Sequence, residues 1–288
     1  MHSTRDIRHR IRSVGNTARI TKAMQMVAAS KMRKAQEAAL SGRPFVRMLY
    51  RMQRELTRGI EEFSHPLLQA REIRKSAVIL IAADRGLCGA LNSNVFRLAL
   101  EFDPQSTLFI AAGRKAAQFV AATRRNLAAE FSYGDVPRFH EARAIGSFAR
   151  DLFLKEQVDE VRTVTTRFVN TLTQQPECLE FLPVGKIKAL EIRETQPEDR
   201  LTGAEAECVF EPDQNAILSY LLSHYINIFI YEALVHAKAS EQSARMVSMK
   251  NATDNANTLI KDLTLEYNKL RQGSITKELL EIAGGEAA

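Results

Sequence analysis

The sequence has 288 residues, of which 45% are hydrophobic and 26% are charged, and its formal net charge is +6. This balance allows a substantial core, and the length predicts one or two domains. The sequence lacks a run of about eighteen apolar residues and an apolar N-terminal stretch, so we expect neither a membrane-spanning helix nor a secretory signal. Its three widely spaced cysteines predict neither a disulfide framework nor a metal site.

The first predicted element is a long basic helix over residues 3–58, rich in Ala, Met, Arg, Lys and Gln, which favour helix. Small and apolar residues recur there with alternating steps of four and three, the pattern of a coiled-coil seam. One row is Ile7, Val14, Thr21, Ala28 and Ala35, and the other is Ile11, Ala18, Gln25, Met32 and Ala39. Pro44 is expected to kink or interrupt this helix, because proline lacks a backbone N–H group.

The charge of the chain is concentrated in this first helix. Residues 1–58 contain 14 Lys and Arg against 3 Asp and Glu, a net +11, which leaves −5 for the remainder. Such a segment needs an acidic partner, which can be nucleic acid, an anionic membrane or an acidic protein surface. Residues 1–44 contain no aromatic side chain for base stacking. Charge alone does not separate a nucleic-acid interface from a helix that faces an acidic protein cavity.

The middle of the chain predicts an α/β domain. Residues 77–83 form a continuous apolar run, as expected for a strand that is buried on both faces. Further strands are predicted over residues 107–112, 161–169, 178–183 and 207–210, and helices over residues 91–102, 115–124 and 145–156. This alternation predicts a partly parallel sheet that is covered by helices.

Two glycine-containing turns of this domain follow strands, where α/β folds place phosphate-binding loops. The first is residues 84–89, DRGLCG, and the second is residues 113–115, GRK. Neither has the spacing of a dinucleotide or P-loop motif, so we interpret the first as a structural turn. Nor do the histidines, carboxylates and serines form a known catalytic or zinc pattern. No catalytic, metal or cofactor site is therefore predicted.

The last predicted element is a second long helix over residues 213–284. Its seam has one row of Met246, Thr253, Ile260 and Tyr267 and another of Met249, Ala256, Leu263 and Leu270. Because a helix of this length normally needs a partner helix, we expect it to pair with the first in an antiparallel coiled coil. The predicted domains are residues 1–58, 59–212 and 213–288.

Several stretches in chain order resemble the gamma-subunit family of F-type rotary ATP synthases. The N-terminal stretch is residues 20–33, ITKAMQMVAASKMR, and the central stretch is residues 84–92, DRGLCGALN. The C-terminal stretches are ASEQSARM at residues 239–246 and MKNATDNA at residues 249–256, followed by YNK, RQ and ITKE between residues 267 and 278. The resemblance covers essentially the whole chain.

The resemblance implies an antiparallel coiled coil of the two terminal helices, with a central Rossmann-like α/β domain. It also implies a non-catalytic rotor shaft without cofactors. The implied partners are three alpha and three beta subunits, the epsilon subunit and the c-ring. Chemistry would occur on the beta subunits, and membrane contact would be indirect, through the c-ring. A peripheral position on the cytoplasmic face of a bacterial membrane is expected, rather than one on the mitochondrial matrix side.

The resemblance also assigns three sets of contact residues. The first, here called the catch, would engage the beta subunits and comprises Lys22, Met24 and Arg245. The second, the upper contact, comprises Arg271, Gln272, Thr276 and Glu278. The third, the bearing tip, would turn in an apolar collar and comprises Ile275, Leu279, Leu280 and Ile282.

Two alternatives come from other functional classes. A coiled-coil protein that binds nucleic acid or a membrane surface would bind DNA or anionic lipid by itself, in a salt-dependent manner. A nucleotide-handling enzyme would use the α/β domain and bind nucleotide without partner subunits. The sequence does not distinguish proton from sodium coupling, or synthesis from hydrolysis.

Overall fold

The structure of the protein is a computed structural model that describes residues 4–57, 65–184 and 214–285. Two very long helices, α1 (Thr4–Thr57) and α5 (Gln214–Gly285), contain 54 and 72 residues. Contacts between residues divide the chain into two compact units. The first comprises Met1–Ser30 and Arg245–Ala288, and the second comprises Lys31–Ala244. Each long helix therefore contributes to both units.

In the first unit, α1 and α5 pair through the small residues of their seams. The hydroxyls of Thr21 and Thr253 are 2.7 Å apart and share a hydrogen bond. After Tyr267, every residue whose side chain the structure describes is exposed, as expected for an antiparallel pairing in which residues 268–285 of α5 lie beyond Thr4 of α1. Close approach of the helices at small side chains agrees with a seam that is only partly apolar.

The second unit contains a five-stranded sheet with the order β3-β2-β1-β4-β5. Its strands are β1 (Ser76–Ile81), β2 (Thr107–Ala112), β3 (Asn126–Phe131), β4 (Glu160–Phe168) and β5 (Gln174–Leu182). The strands β1 to β4 run parallel to one another, and β5 pairs with β4 as an antiparallel hairpin. The other helices of this unit are α2 (Leu91–Ala99), α3 (Arg114–Ala122) and α4 (Phe139–Leu154).

Two apolar cores cover the faces of the sheet, because side chains alternate along each strand. Ile79 and Ile81 of β1 face a core that α4 and the first part of α5 complete. Val78 and Leu80 face the second core, which α2 and α3 complete. Burial on both faces explains why β1 has an uninterrupted apolar sequence.

The sequence predicted most of these elements, and two predictions were wrong. The α1 helix continues through Pro44 to Thr57, so the predicted interruption is wrong, whereas a kink at Pro44 stays a prediction. A single proline removes one helical hydrogen bond, and the good helix formers on both sides maintain the helix. The edge strand β3 was not predicted, because four of its six residues are exposed and it has no long apolar run. The strand predicted over residues 207–210 lies outside the described residues.

Candidate subunit-contact surfaces

The predicted seam residues lie on the inner face of the paired helices, with one exception. Ile7, Met249 and Leu263 are buried, and the partly buried members are Ile11, Val14, Met246, Ile260 and Tyr267. Leu270 is 39% exposed. With Thr21 opposite Thr253, an antiparallel register places Leu270 opposite Thr4, where α1 begins. Leu270 therefore lies at the end of the described part of the seam, and its packing there stays a prediction.

The three catch residues differ in accessibility. Lys22 is exposed, and its Nζ donates to Oε1 of Gln25 at 3.3 Å, which leaves the ammonium at the surface. Met24 is partly buried. Arg245 is only 8% exposed and has an interaction partner within the chain. A guanidinium that is held inside the folded chain has a fixed position, so its role depends on the side chains around it as well as on a partner subunit.

The structure adds an exposed apolar surface on α1 to the sequence-predicted catch. Ile20, Met26 and Val27 are each more than half exposed. They lie within the stretch of residues 20–33 but off both seam rows, so pairing with α5 does not cover them. Ile20 and Val27 are seven residues apart and so share one face of α1, and exposed apolar residues on one face are typical of a protein contact. The sequence signal that could have identified Ile20, Met26 and Val27 is that they are apolar although they lie outside both seam rows.

The C-terminal part of α5 presents exposed side chains for the two remaining sets. Ile275, Leu279 and Leu280 of the bearing tip are exposed. The exposed members of the upper contact are Arg271, Gln272 and Thr276. Glu278 and Ile282 lie outside the residues whose side chains the structure describes. Thr276 donates its hydroxyl to the carbonyl of Gln272 at 2.9 Å, so this hydroxyl is already engaged within the helix.

One lysine of the basic helix α1, Lys31, forms an ion pair within the chain. Nζ of Lys31 is 2.6 Å from Oδ2 of Asp135, which follows β3. The hydrogen bond from Lys31 lowers the pKa of Asp135 below its ordinary value, and burial opposes this shift. Both side chains are partly exposed, so the pair contributes little to stability. Lys31 therefore contributes less than Lys22 to the positive surface offered to a partner.

The first residue of the turn at residues 84–89, Asp84, binds the N-terminus of α3. Oδ1 of Asp84 accepts a hydrogen bond from the backbone N–H of Arg114, at the first position of α3. A helix N-terminus attracts anions, and here the carboxylate of Asp84 fills that position. The interpretation of this segment as a structural turn agrees with this geometry, which leaves no room at Arg114 N–H for a phosphate.

The other carboxylate oxygen of Asp84, Oδ2, contacts a buried ion pair of α5, and these three side chains form an ionic cluster. Nζ of Lys238, on α5, is 3.3 Å from Oδ2 of Asp84 and 3.0 Å from Oε2 of Glu241. The Lys238 side chain is only 2% exposed, and its Nζ lies 4.8 Å from the centre of the Tyr133 ring. Sequence analysis did not single out Lys238, because a lysine in a helix is most often a solvated residue.

Tyr133 adds a directional bond to this cluster. Burial raises the pKa of Tyr133 well above its ordinary value, and the carboxylates of Glu241 and Asp84 raise this pKa further. The hydroxyl therefore stays protonated and donates to the carbonyl oxygen of Ala82 at 3.1 Å. The cluster thus ties the end of β1 to α5.

Among the described residues, none of the helices has both the length and the apolar character needed to cross a membrane. Across residues 4–57, 65–184 and 214–285, no group of three or more His, Cys, Asp or Glu side chains is arranged to hold a metal ion.

Comparison with known sequences gives full-length matches. The profile of the family described as ATP synthase matches residues 3–288. The ATP synthase gamma chain of Opitutus terrae is 46% identical over 292 residues, which cover 100% of this chain and 99% of that protein. The gamma chain of Methylacidiphilum infernorum is 41% identical over 297 residues, again with 100% and 99% coverage.

Comparison with solved structures gives the same architecture. A chain of the central stalk and c-ring of the Tetrahymena thermophila mitochondrial ATP synthase matches with a TM-score of 0.56 and 26% identity, covering 81% of this chain and 99% of that chain. A chain of the Euglena gracilis mitochondrial ATP synthase matches with a TM-score of 0.68 and 20% identity, covering 99% and 94%. The second likeness concerns the fold alone.

Proposed function

Since this chain belongs to the family of ATP synthase gamma chains, we propose that it is the central rotor shaft of an F-type ATP synthase. It couples ion-driven rotation of the c-ring to conformational cycling of the catalytic beta subunits. The observation that carries this proposal is the pairing of two very long helices through a seam of small residues, joined at Thr21 and Thr253. The chain is a non-catalytic subunit, and ATP chemistry takes place on the beta subunits.

The shaft acts on the beta subunits by shifting populations of their conformations. Each catalytic site has open and closed states, and the face of the shaft that it meets stabilises one state over the other. To change the dominant state, the shaft must contact the two states with free energies that differ by several kcal/mol. The exposed ammonium of Lys22 and the apolar side chains of Ile20 and Val27 are suited to such contacts.

The C-terminal end of α5 serves as the bearing. Ile275, Leu279 and Leu280 are exposed and carry no hydrogen-bonding group on their side chains. Apolar side chains turn against an apolar collar without breaking directional bonds, so rotation there has a small barrier. The upper contact, on residues 271–278 of the same helix, supplies polar groups such as the Arg271 guanidinium for the surrounding subunits.

The partners and position follow from the same proposal. Three alpha and three beta subunits surround the paired helices, and the α/β domain contacts the epsilon subunit and the c-ring. The protein lies at the cytoplasmic face of a bacterial membrane, where it contacts the membrane through the c-ring. The relatives from Opitutus and Methylacidiphilum are bacterial gamma chains, which supports a bacterial setting.

Native mass spectrometry of the untagged protein, extracted gently from its own membranes, tests this proposal. We expect one copy of the chain in a particle with three alpha and three beta subunits. Recovery of the chain with nucleic acid would instead favour the reading of α1 as a nucleic-acid-binding helix. Recovery of the free chain alone would contradict the shaft proposal.

Arg245→Ala tests the assignment of Arg245 to the catch. Loss of a charged hydrogen-bonding group costs about 1.5–3 kcal/mol, so we expect coupled ATP synthesis to fall about tenfold or more. The abundance of assembled complex should fall less, and both quantities are measured in membrane vesicles. Arg245→Lys is the matched variant that keeps the charge, and it should retain more synthesis. Unchanged coupling at normal complex abundance would reject the assignment.

A further inference from the structure

The strand order of the sheet in the second unit reverses at β1, which makes this strand a topological switch point. From β1, the strands β2 and β3 lie on one side and β4 and β5 on the other. The helices α2 and α3 cover one face of the sheet, and α4 covers the opposite face. In open α/β sheets, ligands bind at the carboxyl ends of the strands beside such a point. In this chain, the carboxyl ends of β1 and β4 define that position.

A segment of the chain's own C-terminal helix occupies this position. We call residues 238–243 of α5 the docking segment. Lys238 reaches Asp84, just past the end of β1, and Ser243 donates its hydroxyl to the carbonyl of Thr171, just past the end of β4, at 2.7 Å. Ser240 makes a longer bond of 3.5 Å to the carbonyl of Thr166 in β4. The docking segment thus contacts the chain at the carboxyl ends of both β1 and β4.

The docking segment differs in chemistry from the part of α5 before it. There, α5 packs on the sheet through apolar side chains such as Ile226, Ile230 and Leu234. Apolar contacts are non-directional, and a helix held only by them can rotate or slide by small amounts with little loss. An ion pair and hydrogen bonds have fixed donors and acceptors, so the docking segment specifies one rotation and one axial position of α5.

The buried charges make this position strongly preferred. Both the Lys238 and Glu241 side chains are almost fully buried, and Nζ of Lys238 has two carboxylates and the Tyr133 ring around it. If α5 turned relative to the sheet, the Lys238 ammonium would keep Glu241, which lies on the same helix, but it would lose Asp84 and the Tyr133 ring while still removed from water, which is unfavourable. The ionic cluster therefore opposes twisting between α5 and the sheet.

We propose that the docking segment is the joint that transmits torque between the α/β domain and α5. This inference rests on the proposed function as a rotor shaft. Rotation applied to the sheet reaches α5 through Asp84 and Lys238 on one strand and through Thr171 and Ser243 on the other. The helix continues from this joint, about two turns past Lys238, to Arg245. A rigid joint fixes the rotation of residues 238–243 of α5 relative to the sheet.

The test measures the torsional stiffness of the assembled rotor. The chain, with Cys208→Ser, is assembled with its alpha and beta subunits, and a bead is attached to the exposed Cys178 on β5. The docking variant combines Lys238→Met, Glu241→Gln and Ser243→Ala, so it removes the directional bonds without leaving an unpaired buried lysine or glutamate charge. The control variant is Lys155→Met, which makes the same lysine change at an exposed position.

The angular variance of the bead while the enzyme waits for ATP reports the stiffness. We expect the docking variant to rotate with ATP but to show a variance at least about twofold above that of the unaltered chain. The control variant should show no change. An assembled docking variant with unaltered variance would overturn the inference.

A second variant and the unaltered chain complete the test. If the docking variant does not assemble, Ser243→Ala alone removes the 2.7 Å bond to Thr171, and its variance should still rise. An unchanged angular variance in Ser243→Ala would also overturn the inference. If beads on the unaltered chain do not rotate with ATP, the rotor proposal itself fails. If the unaltered chain rotates normally and the variants show an unchanged angular variance, only the torque-transmitting role of the docking segment is overturned, and the rotor proposal stands.

Discussion

Gly113→Ala is expected to destabilise the α/β domain by about 3 kcal/mol or more. Gly113 has a φ of 95°, in a region that residues with a Cβ atom rarely adopt. A Cβ atom at this position would lie 2.1 Å from the carbonyl oxygen of Ala82, so one of the two backbones must move. That carbonyl also accepts the Tyr133 hydroxyl, and Gly113 N–H donates to the carbonyl of Phe131 at 2.9 Å. A movement therefore disturbs hydrogen bonds that join β1, β2 and β3.

Hydrogen–deuterium exchange of the purified full-length chain measures this effect locally. The peptides that contain β1 and β2 should exchange much faster in Gly113→Ala than in the unaltered chain. Gly86→Ala is the matched control, because a Cβ atom at Gly86 would meet nothing within 4 Å. Unaltered exchange in β1 and β2 of Gly113→Ala would show that the close approach of Gly113 to Ala82 is not required.

Leu263→Glu is expected to have the second large effect, on the pairing of α1 and α5. Leu263 is 9% exposed in the seam, and a carboxylate there would lose water without gaining a partner. A cost of about 2–4 kcal/mol is expected, which is a large part of the stability of a coiled coil of this length. The amount of assembled complex recovered from cells expressing the variant should therefore fall strongly.

Two leucines of the same helix serve as controls for Leu263→Glu. Leu265 is 76% exposed, so Leu265→Glu should leave the pairing of α1 and α5 intact. The seam pattern by itself predicted that Leu270 is as sensitive as Leu263. Because Leu270 lies opposite the first residue of α1 and is 39% exposed, Leu270→Glu should affect pairing much less. Equal loss of pairing in all three variants, measured by cysteine cross-linking of the isolated chain, would contradict the register.

Much of the fold could be predicted because its signals are local. The alternating steps of four and three in both terminal helices come from the period of the α-helix. The seam residues at these steps, from Ile7 in α1 to Tyr267 in α5, are buried or partly buried where the structure describes their side chains. The apolar run of β1 reflects burial on both faces of the sheet, and it predicted the strand within two residues at each end. The family resemblance supplied the function, which no single residue could have indicated.

Other features depended on residues that are distant in sequence. β3 has little apolar sequence because it lies at the sheet edge, where one neighbour and solvent decide its environment. The accessibility of Arg245 also could not be read from the pattern, since its burial depends on packing by the folded chain. The resemblance assigned Arg245 to the catch, but it did not indicate that this side chain is buried.

The sequence by itself determined that the chain has two long pairing helices, an α/β domain between them and the motifs of a rotor shaft. The tertiary structure alone decided which polar residues are buried and with which partners. Lys238 and Asp84 are 154 positions apart, and neither has a local signal for an ion pair. Periodicity records which face of an element avoids water, whereas an ion pair requires two particular side chains to meet. Only the folded chain, which places α5 over the end of β1, brings them together.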